Sequence, residues 1–263
     1  ALQTGGGASL NTSGNTISFI EGSVGTSLVL GNNRALSQLG ALSVGGDATF
    51  NNGPHAITLS NANNTFSGGV RLEGGTTTIA SNGVLKLRAA EVQSLTASAI
   101  GIDLNGFFNS TGDQAYNGDV TLTGNASLSS SAGNIAFNGS VNGGGNLRVD
   151  AKDEVRFGGI VGGAARLGSV EVVSGDAILN GSVYTWGMQR YADAVRLGGS
   201  VSLSSSLGSD IVFGSTIDGA YNLLVQTDGT TRGRRQLGAG HPAAGRGNLR
   251  AWRECQYHRP ADL

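Results

Sequence analysis

The residues from which active sites are usually built are scarce in this chain. It holds one cysteine, one methionine, three histidines and three prolines in 263 residues. The single cysteine, Cys255, cannot close an internal disulfide, which excludes a disulfide scaffold. A zinc site needs about four Cys or His ligands, and no second Cys or suitably spaced His accompanies Cys255. A thiol nucleophile needs a positioned base; His258 is three residues on, but nothing else supports that pairing. His55 falls in Gly53-Pro54-His55, a turn, and reads as a solvated loop residue. Charged residues are only 13%, against a usual share of about 25%, and aromatics are 6%. So little charge argues against ordinary disorder. Scarce proline and the lack of a three-residue glycine period exclude collagen. No run of about 18 apolar residues exists to span a bilayer as a helix. No charged, apolar, small-residue leader opens the sequence, so any export signal is expected outside it.

What is abundant is glycine, with 45 residues, and self-similarity. Gln114, Tyr116, Val120, Leu122 and Leu128 recur 75 positions later as Gln189, Tyr191, Val195, Leu197 and Leu203. After one inserted residue, Ile135, Phe137, Leu147 and Val149 recur as Ile211, Phe213, Leu223 and Val225. This long repeat covers 110–184 and 185–231. A shorter unit lies within it: an aromatic or Leu, small or polar residues, then Val or Ile. Its copies start at Phe66, Tyr116, Phe137, Phe157, Leu179, Tyr191 and Phe213, mostly 20 to 22 residues apart.

Short alternating stretches such as Val120-Thr-Leu122 and Val170-Glu-Val172 put apolar residues on one face of a strand. Gly, Asn, Asp and Ser punctuate them as turns. No long segment has a helical period; Ala89–Ala99 is the best helix candidate. The pattern predicts an all-β fold: a parallel β-helix (β-solenoid) with coils of about 20 residues. One coil cannot bury its own apolar face, so stacking makes the core. About a dozen coils would give a rod of roughly 55–60 Å. Phe137 is expected over Phe157, with their counterparts continuing one interior column. The alternative is an antiparallel β-sandwich, which also suits short regular strands.

The stretch Ile57–Leu87, ITLSNANNTFSGGVRLEGGTTTIASNGVLKL, resembles repeats of large exported bacterial surface proteins. These are the filamentous-haemagglutinin-like, two-partner-secretion adhesins. Gly133–Val149, Val155–Gly163 and Leu167–Val170 look like the same group. The resemblance spans roughly 15–230 and rests on repeat style, without a catalytic signature. It implies a right-handed β-helix, export through an outer-membrane secretion partner, and attachment at the bacterial cell surface. The family's amino-terminal secretion module is not identifiable, so the chain reads as an internal or carboxy-proximal piece.

Composition divides the chain near Thr231. Residues 1–231 hold 10 Arg/Lys against 16 Asp/Glu, a net of −6; residues 232–263 hold 7 against 2, a net of +5. The domain reading is a repeat domain over 1–231 and a basic, poorly packed tail over 232–263. Val155-Arg-Phe157 should reappear near Thr231-Arg-Gly233 and does not. Arginine outnumbers lysine 15 to 2, as in GC-rich genes, and the tail has the Arg, Gly, Ala and Pro bias of such DNA read out of frame. It reads either as a frameshift product or as a genuine basic tail.

Few residues invite chemistry. Asp150, Asp153 and Glu154 cluster with Lys152 and Arg156, as a charged loop or as a carboxylate pair for glycoside hydrolysis or calcium. Gly143-Gly-Gly145 lacks the context of a phosphate loop. Thr76-Thr-Thr78 is too short for an ice-binding ladder, and other threonines are not expected to keep its register. Trp186, Tyr184 and Tyr191, near Met188, form the one aromatic cluster. Facing outward it could stack on sugar or peptide; facing inward it is core. Trp186 answers to Thr111 in the first long repeat, so it is an addition to the pattern. The functional expectation is a non-enzymatic, secreted or surface-displayed adhesin fragment that extends a rod and offers a polar surface to glycans or proteins of host or neighbouring cells. No cofactor, nucleic acid or membrane insertion is expected. The alternatives are a carbohydrate-active β-helix enzyme and a passive spacer.

Overall fold

A computed structural model describes residues 2–12, 17–19 and 21–233. The tail, with His241, Cys255 and His258, lies outside the described residues apart from Arg232 and Gly233, and so does its proposed frameshift origin. The described residues form an all-β solenoid of about 11 turns, with strands joined by turns and no helix among them. At roughly 4.8 Å per turn the stack is about 53 Å long. Pairing is parallel throughout, usually with a partner 18 to 22 positions away, as in Leu28↔Ala48 and Ile135↔Val155. The antiparallel sandwich is therefore excluded.

Each coil has three sides. On sheet 1, Ile135–Phe137 is followed by Glu154–Phe157, Asp176–Leu179, Ala194–Leu197 and Ile217–Asp218. On sheet 2, Val141 lies beneath Val161, then Val183–Thr185, Val201–Ser205 and Leu223–Thr227. On sheet 3, Asn146–Ala151 is followed by Ser169–Val173, Gln189–Tyr191, Ile211–Phe213 and Thr231–Gly233. Toward the amino terminus, long strands Gly69–Ala80, Val84–Ser110 and Gln114–Ser130 run around the corners unbroken. Gly143 shows why corners take glycine: its φ is +115°, and a Cβ there would run into the Leu122 backbone.

Alternation sorts each strand into a buried and a solvated set, as in Asn146–Ala151, where Leu147, Val149 and Ala151 are buried. The buried set forms one continuous column from Val24 to Phe213. Ala89–Ala99, the helix candidate, is extended within Val84–Ser110 and pairs in parallel with Gly69–Ala80. Its Ala90, Val92, Leu95 and Ala97 are buried by neighbouring coils. Stacking outweighs a helix propensity of a few tenths of a kcal/mol per residue.

Phe137 does stack on Phe157, with centroids 5.3 Å apart and planes within 4°, and Tyr116 stacks on Phe137 at 5.3 Å. Their long-repeat counterparts do not extend that column. Tyr191 and Phe213 stack 5.6 Å apart on sheet 3, above Val172. The 75-residue repeat spans three coils and two further sides, so equivalent strands fall on different sheets.

What the repeat preserves is a buried polar plug. Gln114 Nε2 donates to Phe108 O, Ser110 Oγ and Ser129 O, and Tyr116 Oη donates to Gln114 Oε1 at 2.8 Å. Gln189 Nε2 donates to Val183 O, Thr185 Oγ1 and Ser204 O, and Tyr191 Oη donates to Gln189 Oε1 at 3.2 Å. Every partner is shifted by 75. Burial holds both phenols protonated by pushing their pKa up.

Candidate functional site

The outward aromatic cluster is smaller than the sequence suggested, and it includes an arginine. Tyr184 and Trp186 lie two residues apart on the outer side of sheet 2, with Trp186 49% exposed. Met188 follows at 41% exposure. Tyr191 does not belong to the cluster. It sits in the core at 0% exposure, one residue out of phase with the outward set, so its ring cannot meet a ligand.

The arginine arrives through a local insertion. Val161 pairs with Val183 and Leu167 with Thr185, so six steps of one coil face two of the next. The four extra residues bulge outward, with Gly162 at φ +73° and Asn142 Oδ1 accepting from the amides of Ala164 and Ala165. Bulges of this kind re-aim side chains. Here the guanidinium of Arg166 lies 5.5 Å from the ring centroids of both Tyr184 and Trp186. Its Nη1 donates to Thr185 O, Ser204 O and Ser204 Oγ. Those bonds fix the cation on the coils, and the rings beside it gain cation–π attraction of about 0.5–1 kcal/mol each. The result is an apolar ring face beside fixed donors, an arrangement suited to stacking on a sugar or planar peptide group. Sequence reading missed Arg166 because the insertion ahead of it changes the intercoil spacing from 22 to 18, which brings it opposite Tyr184; Gly162-Gly163-Ala164-Ala165 was the available signal.

The acidic cluster is dispersed. Asp150 is tied to Arg148, and Glu154 donates its backbone amide to Asn134 Oδ1. Arg148, Glu171 and Arg190 form an ion ladder across three successive coils. Among the described residues no group of three or more His, Cys, Asp or Glu is gathered to hold a metal ion. His55 lies half-buried in the turn expected for it.

Threonine register also differs from expectation. Thr58, Thr78 and Thr96 stack directly on successive coils, below Ala115 and above Ser37. Of the run Thr76-Thr-Thr78, Thr78 therefore belongs to a short column of small outward residues, while Thr77 faces the core. It was hidden because the spacing changes from 20 to 18 between coils.

Comparison with known proteins adds one finding. A family profile described as "Repeats of unknown function (DUF5649)" matches residues 3–73, which is 71 of the 263 residues. It agrees with the repeat architecture and assigns no activity. No curated protein and no solved structure gives a significant match.

Proposed function

We propose that the chain is a structural and adhesive segment of a secreted or surface-displayed bacterial protein, with the solenoid as spacer and its outer faces as contact surface. The observation that supports this reading best is the division of labour between inside and outside. Buried amides such as those of Gln114 and Gln189 are spent on bonding strands of the interior together. A feature that departs from the repeat, the Arg166 insertion beside Trp186, lies on the outer side, where Trp186 is half-exposed. A stacked rod projects such a feature away from its point of attachment. The resemblance of Ile57–Leu87 to adhesin repeats points the same way.

The test is binding of the purified chain to immobilised glycans and host-matrix proteins. Trp186→Ala should weaken capture several-fold while leaving the melting temperature unchanged, since truncating a half-exposed ring costs little stability. Equal capture by wild type and Trp186→Ala would remove the platform from the reading. No capture by either would leave a passive spacer.

A further inference from the structure

A second outward feature is built by adjoining coils at residues 47–88. It is a cavity of about 430 Å³ lined by Asp47, Thr49, Gly69, Arg71, Lys86 and Arg88. Gly69 pairs with Lys86, and Thr49 pairs with Arg71. Val70 pairs with Leu87 but Arg71 pairs with Ala89, so Arg88 is the extra residue of a β-bulge. The bulge lays its side chain across Gly69, where a Cβ would come within 2.8 Å of Arg88 Cγ. Arg88 is anchored from the far side by the buried Asp103, at 2.9 Å, which also accepts from Thr123 Oγ1. Lys86 Nζ donates to Ser67 O at 2.7 Å, and Asp47 Oδ1 accepts from the Gly69 amide at 2.7 Å. Arg71 is exposed, and no carboxylate among the described residues lies within ion-pair distance of Arg71 or Lys86.

Three cations therefore share one cavity on a repeat domain whose net charge is −6. Counting Arg71, Lys86 and Arg88 against Asp47 and Asp103 leaves a local charge of +1. Two of the cations are held in place, and Asp47 and Thr49 supply acceptors beside them. We propose that this cavity binds a carboxylated saccharide, its carboxylate between Arg71 and Lys86 and its ring hydroxyls toward Asp47 and Thr49. The single carboxylate of one sugar unit inside the cavity matches the local balance, with further units of an oligosaccharide lying outside it; a phosphate monoester or inorganic sulfate, each doubly charged near neutral pH, would face Asp47 with the excess. Anionic membranes recruit clusters of four to eight Lys/Arg, about twice what the cavity offers with Arg88 already paired. The size suits a small polar ligand, as sites of about 300–1,000 Å³ do. The inference rests on the displayed-rod reading only for where the chain would meet such a glycan.

Titration calorimetry of the full chain with trigalacturonate tests it, with galactotriose, inorganic sulfate and phosphatidylserine vesicles as comparison arms. Arg71→Gln and Lys86→Gln should each weaken trigalacturonate binding about tenfold or more, the worth of a charge-assisted hydrogen bond. Binding should fall with added salt and be unchanged in Lys152→Gln, an exposed cation outside the cavity. Unchanged melting temperatures confirm that both variants fold. The proposal is overturned if either variant binds like wild type, or if galactotriose or sulfate binds as tightly. Vesicle capture without trigalacturonate binding, or no binding in any arm, overturns it as well. Trp186-dependent adhesion with no effect of Arg71→Gln would sink this site and leave the adhesive reading standing. Trigalacturonate binding lost in Arg71→Gln, with no capture in the adhesion assay, would do the reverse.

Discussion

At Gln114 a single amide ties together three strand segments of the interior. Its Nε2 is shared among two carbonyls and a hydroxyl, and its Oε1 accepts the Tyr116 phenol. Gln114→Leu keeps most of the volume but strands these buried partners, each at about 1–3 kcal/mol. The expected loss is at least about 3 kcal/mol, read from urea unfolding, and Gln189→Leu should cost a similar amount because its partners are the same. Phe137→Ala removes the middle ring of the Tyr116–Phe137–Phe157 stack and should cost about 3–5 kcal/mol. The recurrence of Gln and Tyr 75 residues apart was plain in the sequence, but its meaning was not. A polar residue in an alternating stretch normally faces water, and only the coil-to-coil geometry brings the carbonyls of Phe108 and Ser129 around one amide. Tyr191 was misplaced for the related reason that its aromatic neighbours in sequence alternate across the sheet.

Among the strands, outward ladders repeat the logic of the core with weaker interactions. Glu171 is partly desolvated, which opposes ionisation, but bonds and charge from Arg148 and Arg190 outweigh this and lower its pKa from 4.5. Asp119 is lowered from 3.8 by the Ser140 amide and hydroxyl, and Asp210 likewise by Thr230, each against slight desolvation. Carboxyls lowered on folding stabilise the folded state above their unfolded pKa, and the effect is lost as pH falls through the folded pKa. The melting temperature should therefore be nearly flat from pH 7 to about 5 and fall below about pH 4. Glu171→Gln should lower stability slightly at neutral pH, by about 1 kcal/mol or less. Its acid slope should be shallower than wild type, measured by thermal melts across pH. Strand identity was largely legible from period-two alternation. Ala89–Ala99 was not, because its alanines favour a helix locally and only the coils above and below override that preference.

For the whole molecule, stability is distributed along an axis. Each coil pairs only with its neighbours, the Arg166 bonds to Ser204 two coils on aside, so unfolding is expected to proceed from the ends. The last coils are already thinly covered: Tyr221 is 52% exposed, Leu224 is 46%, and Leu223 and Val225 are half-buried. Amide exchange should be slowest around Tyr116–Phe157 and fastest over residues 217–233; uniform protection along the chain would contradict this. The coil length near 20 was readable from the recurrence of the short unit, whereas its three sides follow from the strand pairings. Its two-thirds-coil slip against the 75-residue repeat was not readable, since the step of 12 from Leu179 to Tyr191 looked like irregularity.

The direction of the intercoil bonds also decides how the rod meets mechanical load. N–H groups such as those of Gly25, Gly45 and Ser67 reach the coil below, to Thr4, Val24 and Val44, so the bonds run along the axis. A pull on the two ends loads them one rung at a time, as in opening a zip, and never a whole strand in shear. Under tension such a shaft pays out length in small steps of about one coil, taking up a sudden tug while the coils still stacked keep their grip.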